Sequence, residues 1–217
     1  MYLPRHFEET RPEPLHALMR AHPLGLLVTP GDDAGPVANS LPFLLDPTPT
    51  DEAPCGTLLC HVARANPVWR EAPGAAVLVV FQGAQGYVSP NWYPAKAEHG
   101  KVVPTWNYSM VQARGRLQVH DDPAAVHAIV SRLTTRHEAN QPRPWAVDDA
   151  PPEFTATMLR AIVGLRIPLT SLVGKFKLSQ NRAAADREGV VKGLREQGAE
   201  AQAMADDMLR AKPLTTP

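Results

Sequence analysis

The chain has 217 residues, 44% of them hydrophobic, which is enough to bury one elaborated domain or one domain with a small appendage. Its 22 basic and 22 acidic side chains balance, so the whole molecule lacks the charge of a strong nucleic-acid binder. No apolar segment approaches the ~18 residues that cross a bilayer, and Cys55 and Cys60 form no disulfide framework, so we expect a cytoplasmic protein without membrane contact.

The first half of the chain predicts one short helix followed by strands. Leu15, Leu18 and Met19 share a helical face within residues 12–21, and His22-Pro23 ends this helix. Short apolar segments bounded by Gly, Pro or Asp then predict strands at residues 24–29, 37–45, 57–62, 75–81 and 113–119. No repeated helical crossover separates these strands, so an antiparallel barrel is favoured over a doubly wound parallel sheet.

The second half of the chain is richer in predicted helices. Asp122-Pro123 begins a helix at residues 124–137, whose apolar face includes Val126, Ile129 and Leu133. Further elements are expected as a helix at 152–159, a late strand at 161–168, and helices at 183–196 and 199–211. The sequence thus predicts a mainly β, α+β fold with peripheral helices, in which residues 1–180 form the domain and 181–217 a C-terminal helical hairpin.

An aromatic segment at residues 87–108 contains two of the four Trp and three of the four Tyr. Trp and Tyr carry an N–H or O–H group that needs a partner once it is buried, so such a segment is not typical of a folding core. Large flat side chains among Ser, Asn and Lys suit a planar ligand with polar edges, of which a flavin is one. An aromatic corner or a subunit interface is the alternative.

Two further polar clusters accompany the aromatic segment. Residues 61–66 follow a predicted strand, and Arg64 offers a planar fork of donors for a phosphate, although a surface ion pair is the commoner use of such an arginine. Residues 174–182 combine two Lys with Ser, Gln, Asn and Arg. They indicate either a site for an anionic or amide-rich partner, or a solvated loop in which Ser179 or Asn181 caps the next helix.

Several separated blocks, in the order MYLPRHFEE, HVARANPVW, YVSPNWYPAK, VPTWNY and GKFKLSQNR, resemble the PaiB-type FMN-binding proteins over nearly the whole chain. This resemblance implies an FMN-binding split β-barrel that forms a homodimer with FMN at the subunit interface. The family takes its name from a negative transcriptional regulator, so the resemblance also implies a repressor role in transcription regulation, with DNA as a candidate partner.

Carried over by position, the resemblance implies FMN contacts from five blocks of the chain. Arg64 is the leading phosphate ligand among them, and the blocks at 89–92 and 105–108 are walls of the site from the same or the partner subunit. The implied cofactor-binding residues are Asn39, Ser40, Leu41, His61, Val62, Ala63, Arg64, Ala65, Asn66, Ser89, Pro90, Trp92, Thr105, Trp106, Asn107, Lys175 and Gln180. The chain has no GxGxxG and no P-loop, so side chains and a turn must hold the phosphate.

Alternative functions stay open at this point. An FMN-dependent oxidoreductase, linked to flavin or NAD(P)H, needs few protein groups, and no residue is identified as catalytic. A haem-binding relative would use a histidine such as His61, His99 or His120 as its axial ligand, whereas no HExxH or other metal motif is present. The two terminal helices superficially offer a helix-turn-helix with Arg187 among its phosphate contacts, but their acidic residues favour a packed hairpin.

Overall fold

The structure is a computed structural model that describes residues 1–33 and 35–211. Residues 212–217, which end the predicted C-terminal extension, lie outside the described residues. The strands of the described chain are β1 (Glu8–Glu9), β2 (Leu24–Thr29), β3 (Val37–Pro42), β4 (Leu44–Asp46), β5 (Thr57–Ala63), β6 (Ala76–Val88), β7 (Thr105–Arg116), β8 (Gln118–His120) and β9 (Ile162–Lys177). Its helices are α1 (Pro12–Ala21), α2 (Val68–Glu71), α3 (Ala95–His99), α4 (Pro123–Glu138), α5 (Pro152–Arg160), α6 (Ala184–Arg195) and α7 (Ala199–Arg210), with short 3-10 turns at Arg5–Phe7, Pro90–Trp92 and Val147–Asp149.

The predicted helices are present, and most predicted strands are present too. The strand predicted at residues 37–45 is divided into β3 and β4, and the one predicted at 113–119 spans the end of β7 and the start of β8. Three strands are longer than the sequence suggested. Strand β6 runs on to Val88, β7 begins at Thr105, and β9 continues through Pro168 to Lys177. The sequence placed strand ends at Gly and Pro residues, whereas Gly86 lies inside β6. A Cβ atom at Gly86 would lie 2.7 Å from Cδ2 of Leu194, so this glycine serves close packing and not a turn.

The strands pair antiparallel wherever their register is defined. Leu26 is opposite Val80 between β2 and β6, and Cys60 is opposite Leu165 between β5 and β9. The order along the sheet is β3-β2-β6-β7-β9-β5-β4, and both β1 and β8 pair with β9. Because β9 enters pairs with three strands whose registers are known, its long apolar run is central to the fold. The predicted antiparallel arrangement is confirmed.

The chain folds into two compact units that alternate along the sequence. Unit 1 comprises Met1–Arg11, Gln82–Val111 and the described residues from Val173 onward. Unit 2 comprises Pro12–Phe81 and Gln112–Leu172. The sequence-based division between residues 180 and 181 is contiguous, unlike these units, and it stays a prediction.

Unit 2 has a core of apolar side chains from its strands, covered by α1 and α4. Phe81 and Leu27 are fully buried, and the rings of Phe81 and Phe43 meet edge to face with centroids 5.8 Å apart. Helix α4 contributes Ile129 and Leu133, spaced four residues apart on one helical face as its periodicity predicted. Full burial of each such side chain stabilises a fold by about 1.5–3 kcal/mol, before conformational entropy is counted.

Unit 1 has its own apolar core, formed by strands and the helices α6 and α7. Leu194, Met204 and Met208 are fully buried against Val88 and its neighbours, so the two helices form the predicted hairpin. Arg187, which the sequence offered as a candidate DNA contact, donates hydrogen bonds to the carbonyl groups of Met208 and, at 2.6 Å, Ala211. It therefore caps the C-terminal end of α7, where a cation favours the helix dipole, and its half-buried position within the hairpin does not favour contact with a DNA phosphate.

Candidate flavin site

Unit 1 presents an open sheet face that carries aromatic side chains. Along β7, residues alternate between buried positions, such as Asn107 and Ser109, and less buried ones, such as Trp106 and Tyr108. Trp106 is 53% exposed, and its ring lies edge to face with that of Tyr87, which is 47% exposed, at a centroid distance of 6.0 Å. Exposed aromatic side chains in such a cluster are unusual on a surface that faces only water.

Two lysines of β9 accompany these rings. The Lys175 ammonium lies 5.3 Å from the centroid of the Tyr108 ring and donates a hydrogen bond of 3.1 Å to the carbonyl of Tyr2. Lys177 donates to the carbonyl of Trp106 at 2.6 Å and to the hydroxyl of Thr105. We call the surface formed by Tyr87, Trp106, Tyr108, Lys175 and Lys177 the aromatic face.

The positive charge on the aromatic face is not compensated. Lys175 is only 8% exposed, yet within the described residues it forms no ion pair, even with Glu8, its neighbour in the β1–β9 register. Burial lowers the pKa of Lys177, and the nearby charges of Lys175 and Arg182 lower it further. Because a buried charge without a counter-charge is costly, the aromatic face has the electrostatics of an anion site.

The predicted wall residues in β7 lie on both sides of this sheet. Trp106 belongs to the aromatic face, and Thr105 borders it through its hydrogen bond from Lys177. Asn107 is buried on the side opposite Trp106. Its amide donates to the Ser179 hydroxyl at 2.9 Å and to the Met208 sulfur at 3.3 Å. Asn107 therefore connects the strand to the C-terminal hairpin, and its predicted flavin contact stays untested.

The motif after β9 forms a hydrogen-bonded turn. Ser179 has a φ of 59°, a conformation that non-glycine residues rarely adopt. One expectation was that Ser179 caps the next helix, but that helix has no side-chain cap. Gln180 shapes the turn by accepting from the amide of Leu178 at 2.7 Å and donating to the carbonyl of Phe176 at 2.5 Å. The side chain of Gln180 is thus engaged within its own loop.

The block from Ser89 to Trp92 packs against helix α6. Ser89 caps the 3-10 turn by accepting from the amide of Asn91 at 3.2 Å, and Pro90 is the first residue of that turn. The ring of Trp92 lies so close to α6 that a Cβ at Gly193 would be 2.2 Å from ring atom Cδ2. These contacts give Trp92 a packing role in unit 1, and its role as a flavin wall stays a prediction.

In unit 2, Arg64 is engaged by other parts of the protein. Its guanidinium forms a two-pronged ion pair with Asp121, at 2.5 and 3.0 Å, and donates to the carbonyls of Arg160 at 2.6 Å and Ile162 at 3.1 Å. The hydrogen bond with Asp121 raises the pKa of Arg64 and lowers that of the carboxyl group. These contacts use four of the five guanidinium N–H donors, so a phosphate that accepts two hydrogen bonds from Arg64 would have to displace one of its present partners.

Among the other predicted residues of unit 2, two have buried side-chain nitrogen atoms that lack a hydrogen-bond partner in the described chain. Asn66 donates to the Asn39 side-chain oxygen at 2.9 Å, and both residues line a cavity of about 220 Å³. Asn39 Nδ2 and His61 Nδ1 are buried without a hydrogen-bond partner among the described residues. Burial also lowers the pKa of His61. Orphaned donors and acceptors of this kind fit a site that a polar ligand or water completes.

The remaining predicted contacts of unit 2 differ in accessibility. The exposed residues are Ser40, Ala63 and Ala65, and the buried ones are Leu41 and Val62. Tyr2 and Asp121 are contacts that the sequence did not reveal. No local pattern could have identified either one, because Tyr2 meets Lys175 and Asp121 meets Arg64 only through the tertiary fold.

The fold is a split β-barrel, as the sequence predicted. A solved structure from Mycobacterium smegmatis, described as that of an FAD and heme binding protein, matches with a TM-score of 0.57. It is 18% identical in sequence, and the match covers 84% of this chain and 78% of that chain. A likeness at this identity shows the fold alone, and it confirms the predicted α+β class.

The family follows from sequence comparison. A family model described as "Putative FMN-binding domain" matches residues 1–171. An uncharacterized protein of Aspergillus fumigatus is 36% identical, with 92% of this chain and 93% of that protein covered. "Protease synthase and sporulation protein PAI 2" of Bacillus subtilis is 30% identical, with 96% of each covered. This chain belongs to the FMN-binding family, and the predicted FMN cofactor is confirmed.

Within residues 1–33 and 35–211, no helix is both long and apolar enough to cross a bilayer.

Proposed function

We propose that the aromatic face is the flavin-binding surface of this protein, and that the bound flavin serves a regulatory role in a homodimer of the cytoplasm. The main support is that Lys175 and Lys177 have no carboxylate partner in the described chain and lie beside the exposed ring of Trp106. FMN combines a flat aromatic ring with a phosphate, so it offers the face both a stacking partner and a counter-charge. When bound, FMN supplies redox-active ring chemistry.

Two parts of the chain compete for the phosphate. Arg64 already has a carboxylate partner and two carbonyl acceptors, so phosphate binding there exchanges one anion for another. Lys175 and Lys177 have carbonyl and hydroxyl acceptors but no carboxylate partner in the described chain. An incoming anion therefore gains more at the lysines, because it relieves a charge that the fold leaves unpaired. Arg64 remains the second candidate.

Equilibrium titration with FMN tests the proposed surface. Trp106→Ala removes the most exposed ring of the face, and we expect FMN affinity to fall about tenfold or more, the range for one stacking aromatic. Trp145→Ala is the matched control, because Trp145 is 48% exposed, similar to the 53% of Trp106, and lies in unit 2. Equal affinities of the two variants for FMN would place the flavin elsewhere.

Homodimer formation is proposed from exposed apolar side chains on β2. Leu24 is 67% exposed and Leu26 is 40% exposed, and both project from the same side of the strand. Such residues are covered in many obligate interfaces. Sedimentation velocity should show a dimer for the native chain and a monomer for Leu24→Glu/Leu26→Glu. Leu209→Glu, at an exposed leucine of α7, should leave the dimer intact. A double variant that still sediments as a dimer would exclude this surface.

Regulation is supported by similarity along nearly the full length of the Bacillus subtilis protein PAI 2. Direct DNA binding by the C-terminal hairpin has less support, because Arg187 caps α7 and Arg195 lies 3.7 Å from Asp206. We therefore propose regulation that depends on the flavin state of the protein. A mobility-shift assay with the upstream DNA of its own gene, repeated at two salt concentrations, tests for a DNA complex with and without FMN.

An FMN-dependent oxidoreductase is the second candidate function. The observation in its favour is the openness of the aromatic face, where Tyr87 and Trp106 are about half exposed and leave room for a second reactant. Oxidation of NAD(P)H by the FMN-loaded protein is the corresponding assay. Turnover without any specific DNA shift would reverse the ranking of the two functions.

A further inference from the structure

Unit 2 contains a larger concave surface that the predicted FMN contacts do not line. This groove has a volume of about 560 Å³ and lies across strands β2, β6 and β7. Its apolar part includes Val28 of β2 with Ala76 and Leu78 of β6. Arg114 and Arg116 of β7 also line it. The volume lies within the ~300–1,000 Å³ typical of pockets for small organic ligands.

The apolar part of the groove follows from the strand alternation. In β6, Val77 and Val79 are buried in the core of unit 2, whereas Ala76 and Leu78 project to the other side. In β2, Val28 is likewise less buried than its neighbour Leu27. These side chains leave apolar surface available within the groove, where a flat hydrocarbon or aromatic group can displace water.

The two arginines of the groove have no carboxylate partner among the described residues. Arg114 donates to the Gln112 side-chain oxygen at 3.1 Å, and Arg116 donates to the carbonyl of Gly74 at 2.8 Å. Each guanidinium has five N–H donors, so most of them remain available for a ligand. Among the described residues that line the groove there is no Asp or Glu, so these residues place no negative charge against an incoming anion.

The spacing of the arginines suits a single anionic group. Residues two apart in a strand project to the same side with Cα atoms about 7 Å apart, and both Arg114 and Arg116 are exposed. Two long side chains at that spacing can converge on one phosphate or carboxylate with charge-assisted hydrogen bonds. The backbone between them is held in place, since the Thr170 hydroxyl donates to the carbonyl of Arg114 at 3.3 Å.

We propose that this groove binds a small organic anion, with its flat apolar part on Val28 and Leu78 and its phosphate or carboxylate between Arg114 and Arg116. An inorganic anion would bind the arginines but leave the apolar side chains of the groove exposed to water. A neutral aromatic molecule would use the wall but leave the arginines without a counter-charge. The groove therefore selects molecules that combine the two chemistries. FMN also combines them, so competition with FMN distinguishes this groove from the flavin site.

Isothermal titration of the FMN-loaded, full-length protein tests the proposal with three probes. Phenyl phosphate combines both features, inorganic phosphate has only the anion, and benzyl alcohol has only the ring. We expect phenyl phosphate to bind at least about tenfold more tightly than either other probe. Arg114→Gln/Arg116→Gln should weaken its binding about tenfold or more, whereas Arg136→Gln, at an exposed arginine of α4, should not change it.

Three outcomes would overturn the groove as a separate ligand site. Equal phenyl phosphate affinity in the native chain and the double arginine variant would show that the arginines are not the anion contact. Displacement of phenyl phosphate by FMN in the FMN-free protein would assign the groove to the flavin. No binding to the native dimer, with binding restored in the monomeric Leu24→Glu/Leu26→Glu variant, would assign the surface to a second copy of the chain.

Discussion

The substitution Lys175→Met tests whether Lys175 binds the ligand or supports the fold. The substitution keeps the length of the side chain and removes its charge. In the free protein it removes one hydrogen bond to the Tyr2 carbonyl, worth about 1.5 kcal/mol for a charged donor, and ring contacts at 5.3 and 5.6 Å, worth about 0.5–1 kcal/mol each. It also removes the desolvation cost of an ammonium that has no counter-charge, which offsets part of this loss. We therefore expect the free energy of unfolding to change by only about 1 kcal/mol.

The effect of Lys175→Met on FMN should be larger than its effect on the fold. Loss of one buried cation from a charge pair costs about 2 kcal/mol or more, which is roughly a 30-fold loss of affinity. FMN fluorescence titration measures the affinity, and chemical denaturation of the FMN-free protein measures the stability. Lys192→Met, at an exposed lysine of α6, should leave both values unchanged.

Two outcomes would contradict a ligand-binding role for Lys175. FMN affinity within a factor of about two of the native value would show that the unpaired charge does not meet the ligand. A loss of affinity that merely follows a large loss of stability would show that Lys175 acts through the fold. Only weak FMN binding by a stable variant supports the aromatic face as the flavin site.

Three further predictions concern packing and pH. Trp92→Ala should lower the free energy of unfolding by about 2–4 kcal/mol because its ring packs on α6, whereas the exposed Trp106→Ala should cost less than about 1 kcal/mol; similar losses in denaturation would contradict this packing. Because the pKa of Lys177 is lowered, this lysine loses its charge below the pH range ordinary for lysine, so FMN affinity should fall as pH rises through that region while the stability of the free protein rises. Lys177→Arg, which stays charged, should remove this change in affinity. Burial lowers the pKa of His61 and His16, so the unfolded chain binds protons first and stability should fall as pH drops below about 6.5; a His61→Gln variant with an unchanged pH slope would refute the role of His61.

Local pattern was sufficient for most elements of the fold. The apolar spacing in α1 and α4 and the short apolar runs of β2 and β5 appear in the structure close to their predicted bounds. These elements are set by nearest-neighbour periodicity, because one face must be buried and the other must not. The order of the motif blocks likewise identified the family and its cofactor, since those blocks are a property of the residues alone.

Strand length was harder to predict because it depends on distant packing. The strand predicted at residues 75–81 continues as β6 through Gly86, where Leu194, more than a hundred residues later, occupies the space of a side chain. Strand β9 similarly continues past Pro168, through pairs with β1 that form at the opposite end of the chain. Glycine and proline signal local backbone limits, and they carry no information about a remote neighbour.

The amino-acid order was enough to predict an FMN-binding protein with alternating strand faces and a helical hairpin. Only the folded chain showed which of those faces the hairpin covers, and hence that Trp106 is open whereas Asn107 is buried. It also showed that Arg64 is paired with Asp121 while Lys175 has no carboxylate partner in the described residues. The charge balance of a side chain depends on which residues meet it in space, so it emerges only once the chain has folded.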